Sequence, residues 1–321
     1  MVSNHAKIHA FIGIGLIVLS VLCTLIIGPN IAPEFAGRAE LQVVFTEAQE
    51  DGVAQFGDIG YAVAIQQVSA TEYTFTTQSL DADAYSALQA HIAEQIGEFE
   101  VKEYRSYSPS ISKELLYKAV LALLVAVGII IVYISLVFRK SSRPVASWKY
   151  GITATFALVH DTIIPLGLFA IIAPFTTAMV DTLFVTALLA TLGYSINDTI
   201  VVFDRMRDRL RMNREKNRKE PFTETVDYGV RSSLRRSLYT SVSTVTPLVL
   251  LFLFVSATQW FSIALFAGVV AGTYSSLFFA PSLLLLWHHH FPQKDKKDQK
   301  LSETEAAEKM LRNSFQDEST L

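Results

Sequence analysis

Residues 193–207 read GYSINDTIVVFDRMR, an apolar helical run interrupted by an Asn and an Asp. Asp198 is the residue best placed to do chemistry. A carboxylate inside a membrane span costs several kcal/mol, and ionisable groups there serve ion paths or proton relays. Residues three and four apart share a helix face, so Thr191, Tyr194, Ser195 and Asp198 form one polar stripe. Lipid offers such a stripe no partners, so it must face other helices or a water-filled cavity. The competing role is glue between helices, at about 0.6 kcal/mol per hydrogen bond. A hydroxyl or amide would hold helices together more cheaply than a carboxylate. Asp198 is therefore assigned the functional role, while Ser195, Asn197 and Thr199 fit either.

Other groups within apolar runs extend this set. His160 and Asp161 sit near the middle of a third apolar run. Adjacent side chains in a helix point about 100° apart, so each is expected to find its partner on another helix. Both groups titrate in a range that burial can tune, which makes a proton path or a buried structural hydrogen bond available. Arg236 opens RSLYTSVSTVTP. It can snorkel to the interface or pair with Asp198 from the same depth. Thr240, Ser243, Thr244 and Pro247 add hydroxyls and an expected helix break. Gly268 and Gly272 form a GxxxG, a close-packing signature, followed by Thr273, Tyr274, Ser275 and Ser276, read as packing first and pathway lining second.

Soluble-enzyme signatures are missing: the chain has no P-loop, HExxH or GxSxG. It reads as a non-enzyme with no cofactor, no metal site and no nucleic-acid partner. His288, His289 and His290 are consecutive on a helix end, so they splay rather than converge. Work by such a chain draws on an ion gradient or a partner, and one charge crossing 100 mV is worth about 2.3 kcal/mol. A lone carboxylate suits H⁺ or Na⁺ as the coupling ion.

The elements that position these residues are membrane spans. The 321 residues are 51% hydrophobic and only 18% charged, with the apolar residues in long runs. A span takes about 20 such residues. Candidate spans lie at 10–28, 115–137, 150–172, 182–203, 238–255 and 261–287, the last expected to tilt or to bend near Pro281. The 204–236 loop carries eleven Lys or Arg against six acids. With Arg139, Lys140, Arg143, Lys149 and the Lys-rich tail, it assigns one side as cytoplasmic. Both termini then face the cytoplasm, and 29–114 lies outside. The chain divides into 1–28 (N-terminus and first span), 29–114 (extracytoplasmic domain), 115–290 (five-helix bundle with the basic loop 204–236) and a tail, 291–321, expected to be disordered. The apolar core Ala10 to Ile27 is too long for a signal peptide and reads as an uncleaved anchor. Cys23 is the only cysteine, so no intramolecular disulfide is available.

The outside segment holds fourteen Asp or Glu against four Lys or Arg, read as a solvated face. Strand composition appears at Leu41 to Phe45, Ile59 to Ser69, Tyr73 to Thr77 and Glu98 to Tyr104. Helical spacing runs through Ala84, Leu88, Ile92 and Ile96 with Asp81 as N-cap, and a short first helix is placed at 47–56. The order is a split βαβ, ferredoxin-like α+β pattern. Asp181, at the outer mouth of the fourth span, reads as a solvated acid.

LVHD at 158–161, GYSINDTIVVFDRMRD at 193–208, RSLYTS at 236–241 and AGTYSSLFFAP at 271–281 together resemble the SecF family. The segment after the first span departs from the family pattern. Where the family usually has Asp-Phe-Thr-Gly-Gly, this chain has Glu34-Phe35-Ala36-Gly37-Arg38.

The resemblance implies a resistance-nodulation-division fold and a cytoplasmic (inner) membrane protein. It implies a twelve-span pair with SecD that associates with the SecYEG channel, with SecA acting indirectly, YajC as a further associate and unfolded preproteins as clients. It implies use of the proton-motive force, with Asp198 as the proton-relay group and Arg236 as its partner. The main rival is a small-molecule or lipid exporter subunit of the same superfamily, which usually carries larger outer domains. A purely structural subunit is a third reading.

Overall fold

The computed structural model describes residues 2–47, 62–137 and 147–290. The expected tail 291–321, all but the first residue of the expected helix 47–56, and Arg139, Lys140 and Arg143 lie outside them. Six helices are long and apolar enough to cross a membrane, and the protein is a multi-pass membrane protein with a small sheet domain. Helix α1 (Ala6–Ile26) leads through a two-residue strand β1 (Asn30–Ile31) and a single helical turn α2 (Pro33–Ala36) into the sheet domain. There β2 (Arg38–Phe45), β3 (Ala62–Gln67), β4 (Glu72–Gln78), α3 (Ala82–Ile96) and β5 (Phe99–Ser106) follow in turn.

The sheet runs β3-β4-β2-β5, and every neighbouring pair is antiparallel. Strand β2 alternates in and out, burying Ala39, Leu41, Val43 and Phe45. That period of two places its apolar face on Tyr73, Phe75, Leu88 and Ile92. Helix α3 presents Leu88 and Ile92 at i and i+4, and Asp81 caps it by accepting from the Ala84 N–H at 2.9 Å.

The bundle continues with α4 (Pro109–Val137), α5 (Ser147–Ile172), a second two-residue strand β6 (Met179–Val180), α6 (Thr182–Glu215), α7 (Phe222–Phe254), α8 (Gln259–Tyr274) and α9 (Ala280–His290). Helices α5, α6 and α8 bury much of their surface, whereas α4 and α7 leave long apolar faces exposed. Helix α6 is the centre of this arrangement and packs on α4, α5, α7 and α8.

Three local readings change. The expected loop 204–236 is mostly helix: α6 runs on to Glu215 and α7 begins at Phe222, leaving a turn at 216–221. Charge density marks a side of the membrane but does not break a helix, and Arg, Glu and Met are good helix formers. Arg211 pairs with Glu215 one turn on at 2.8 Å, and Arg209 closes the hairpin onto Glu220 at 2.7 Å. Helix α7 passes through Pro247 unbroken, and nearby Thr244 and Thr246 bond carbonyls of the preceding turn at 2.9 and 2.8 Å. The irregularity near Pro281 is a π turn, Ser275–Phe279, joining α8 to α9. Pro281 has no N–H for the Leu277 carbonyl and its ring crowds it, and a widened turn just before the proline relieves both.

Candidate functional site

Helix α6 brings two buried carboxylates together with its own polar stripe. Thr191, Ser195 and Asp198 are all buried along one face, as is Thr199. Asp161 of α5 is completely buried and receives hydroxyl donors from two other elements. The Ser195 hydroxyl donates to its Oδ2, and the Ser275 hydroxyl donates to the same oxygen at 2.7 Å. Its Oδ1 lies 2.7 Å from His160 Nδ1. The expectation that His160 and Asp161 do not pair is therefore corrected. The 100° offset separates Cβ directions, but in a packed interior both side chains swing toward the gap between them. The His160 ring is held in that orientation by stacking on Phe279, with centroids 5.0 Å apart and planes 29° from parallel.

The π turn explains how Ser275 and Phe279 both reach this cluster. One extra residue in the turn shifts the phase of the helix, so that Ser275, Ser276 and Phe279 all point inward. Gly272 makes the space: a Cβ there would lie 3.1 Å from Ser195 Cβ and 3.5 Å from Asp161 Oδ2. Gly268, one turn earlier, lies against Thr191, where a Cβ would meet Oγ1 at 2.1 Å. The two glycines thus set the approach of α8 onto the polar stripe of α6.

Asp198 has a different environment. It is 1% exposed, and neither carboxylate oxygen has a hydrogen-bond partner among the described residues. The Ser237 hydroxyl is directed at it from α7 as a prospective donor without reaching full hydrogen-bond geometry, and among the described residues it and the Ser233 hydroxyl one turn earlier are both buried without a hydrogen bond. Arg236 is exposed on α7, and among the described residues it forms no ion pair with Asp198. An ionised carboxylate buried without a donor is expensive. The charge of Asp198 and the packing of α6 against α7 are therefore tied to one another.

The remaining predicted residues distribute as follows. Tyr194 joins a hydroxyl triangle across three helices: its Oη is 2.6 Å from Ser241 and 3.3 Å from Thr273, which are 2.7 Å from each other. Thr240 bonds back to the Arg236 and Ser237 carbonyls of its own helix at 3.1 and 3.0 Å. Asn197 is exposed on the far side of α6. Asp181 is not a solvated acid: it is half-buried and caps α6 by accepting from the Phe184 N–H at 2.6 Å, and burial pushes its carboxyl above the usual range. Among the described residues no group of three or more His, Cys, Asp or Glu side chains could hold a metal ion. His288 packs its ring on Phe222, while His290 Nδ1 is 3.0 Å from the Leu286 carbonyl. Sequence reasoning passed over Ser237 and gave Ser275 only a secondary place. The Thr-Tyr-Ser-Ser run after the GxxxG was the available signal for the second, and the place of Ser237 in RSLYTS beside Arg236 was the signal for the first.

With this geometry in view, the likeness to known proteins is specific. Residues 88–290 match the family described as protein export membrane protein SecD/SecF, C-terminal. The chain is 34% identical over 268 residues to the protein translocase subunit SecF of Synechocystis sp., covering 79% of this chain and 81% of that one. The SecF of Anaerolinea thermophila is 31% identical over 286 residues, covering 86% and 90%. That of Thermobaculum terrenum is 36% identical over 203 residues, 62% of its length. Among solved structures, the crystal structure of SecDF, a translocon-associated membrane protein from Thermus thermophilus, superposes with a TM-score of 0.74 at 26% identity. That match takes in 89% of this chain, which spans 38% of the SecDF chain. The chain belongs to the SecD/SecF family of protein-export membrane proteins.

Proposed function

We propose that this chain is the SecF-type subunit of the Sec export machinery in the cytoplasmic (inner) membrane. It pairs with a SecD subunit and uses the proton-motive force to promote preprotein translocation. The observation that carries this reading is Asp198, a carboxylate buried in the central helix with no fully formed hydrogen bond among the described residues. A proton arriving there removes a charge that the α6–α7 seam otherwise leaves unpaired. The seam, with Ser233, Ser237 and the Arg236 charge on its α7 side, then repacks, and release of the proton resets it. The sheet domain moves with this cycle and biases the client outward.

The finer assignments belong to the same proposal. The basic hairpin around 216–221 and both termini lie in the cytoplasm, following the excess of Lys and Arg. The sheet domain lies outside, and its β3-β4-β2-β5 order supports a ferredoxin-like, split βαβ domain. SecYEG is the associated channel, SecA acts indirectly, YajC is a further associate, and H⁺ is the coupling ion. The test is Asp198→Asn in vesicles carrying the complete export complex. The variant should still assemble with SecD but lose stimulation of export by a proton gradient. Normal stimulation would sink the relay role, and stimulation that follows a sodium gradient instead would replace H⁺ by Na⁺.

A further inference from the structure

The segment between the first span and the sheet domain, Glu34-Phe35-Ala36-Gly37-Arg38, has a place in the fold that its departure from the family pattern did not foretell. It is wedged between the outer ends of two spans. On one side Gly37 takes a left-handed conformation, φ +69°, and a Cβ there would lie 2.9 Å from Pro109 Cα at the start of α4. On the other side the Glu34 carboxylate reaches the start of α6. Its Oε1 accepts from the Thr182 backbone N–H at 2.6 Å and from the Thr182 hydroxyl at 2.5 Å. The contact is reinforced next door. Strands β1 and β6 pair in parallel, Asn30↔Met179 and Ile31↔Val180. The Asn30 amide donates to the Ala173 and Ala178 carbonyls at 3.0 and 3.3 Å. Phe35 and Pro33 are buried beneath.

We propose that Glu34 is a positioning residue that couples the sheet domain to the helix carrying Asp198. Arg38 begins β2, so only Phe35, Ala36 and Gly37 separate Glu34 from this inner strand of the sheet. Thr182 begins α6, and Asp198 lies sixteen residues along it, about 24 Å at the helical rise. A helix transmits a push or a rotation along its axis because its backbone is fully bonded. A two-residue strand pair alone is a weak joint, whereas a carboxylate accepting two hydrogen bonds at one helix end gives the joint direction. Both donors are neutral, so an amide oxygen at position 34 can replace the carboxylate oxygen, while a methyl group cannot.

This inference rests on the proposed role of Asp198, and the experiment separates the two. Amide hydrogen exchange is measured on the full-length protein in its complex for Glu34→Ala and Glu34→Gln, alongside export at equal chain abundance. In Glu34→Ala, exchange at Thr182 to Phe184 and at the start of β2 should quicken about tenfold, the scale of one lost hydrogen bond to a charged group, and gradient-stimulated export should fall. Glu34→Gln keeps the acceptor oxygen without its charge and should lie clearly closer to wild type than Glu34→Ala on both readouts, which a generally destabilised joint would not. Unchanged exchange in Glu34→Ala overturns the latch whatever export does. Quickened exchange with full export overturns its coupling role. Full export by Asp198→Asn in the same assay speaks against the relay reading and leaves the exchange result to decide the latch.

Discussion

Asp161 and Asp198 are carboxylates on neighbouring helices, 0% and 1% exposed, and their surroundings are opposite. Asp161 accepts from Ser195 and Ser275 and pairs with His160, so three elements of the bundle converge on its two oxygens. Asp198, three residues beyond Ser195 on the same helix, has no fully formed hydrogen bond to either oxygen among the described residues. A satisfied buried network rigidifies its surroundings, and a half-satisfied one is the first place to yield. Asp161 is thus a satisfied knot, and Asp198 is the buried carboxylate to which the proposed relay assigns a change of state. The difference lies in what the facing helices supply: Gly272 and the π turn admit hydroxyls to Asp161, while Ser237 faces Asp198 without reaching full hydrogen-bond geometry.

Substitutions should break this contrast in graded steps. Asp161→Ala strips three partners at once and leaves them buried, and should cost about 3–5 kcal/mol, read as a lost or sharply lowered thermal transition in detergent. Asp198→Asn should leave that transition within about 0.5 kcal/mol, since no hydrogen bond is removed, while gradient-stimulated export is lost. Gly268→Val places a side chain where Thr191 already sits, and should cost about 1–3 kcal/mol by overpacking α6 against α8. Tyr194→Phe removes one corner of the hydroxyl triangle but leaves Ser241 bonded to Thr273. A loss of about 0.5–1.5 kcal/mol follows, with export retained.

A carboxylate outside the membrane sharpens the comparison from the other direction. Burial pushes the Glu40 carboxyl above the usual range; the nearby Arg105 charge pulls it down, and Glu103 and Glu34 push it up again. Its folded form therefore favours the proton more than the unfolded form does. That contribution to stability is fully present below the ordinary carboxylate range and is lost as pH rises through the raised folded value. Glu40→Gln should accordingly strengthen the sheet domain at neutral pH by less than about 1 kcal/mol, since the group is partly solvated. It should also flatten the dependence on pH, as read by exchange at the β2 amides.

Much of this arrangement was legible in residue spacing. The stripe Thr191, Ser195, Asp198 follows from the helical repeat alone, and elements of the sheet domain follow from the strand composition of Leu41 to Phe45 and from the Leu88, Ile92 pair. Contacts that depend on rotation between helices were not legible. Neither the phase shift of the π turn, which delivers Ser275 to Asp161, nor the facing of Ser237 toward Asp198 leaves a periodic trace. Composition set Arg236 toward the same end of its helix as Asp198, but its direction around α7 is a packing outcome. The 204–236 loop was misread because a charge count says which side of a membrane a segment occupies, not what backbone it adopts. The pairing of His160 with Asp161 was missed because helical geometry fixes Cβ directions and leaves the ends of long side chains free.

The most direct test sets Asp198→Asn beside Asp161→Asn in the same reconstituted export complex, with thermal stability and gradient-stimulated export measured on each. Asp198→Asn should keep its stability and lose stimulation. Asp161→Asn should lose stability by about 1.5–3 kcal/mol, the scale of hydrogen bonds to a charged group, and retain stimulation in whatever fraction remains folded. The reverse pattern, with Asp161→Asn stable but uncoupled and Asp198→Asn unstable but coupled, would contradict the relay role of Asp198.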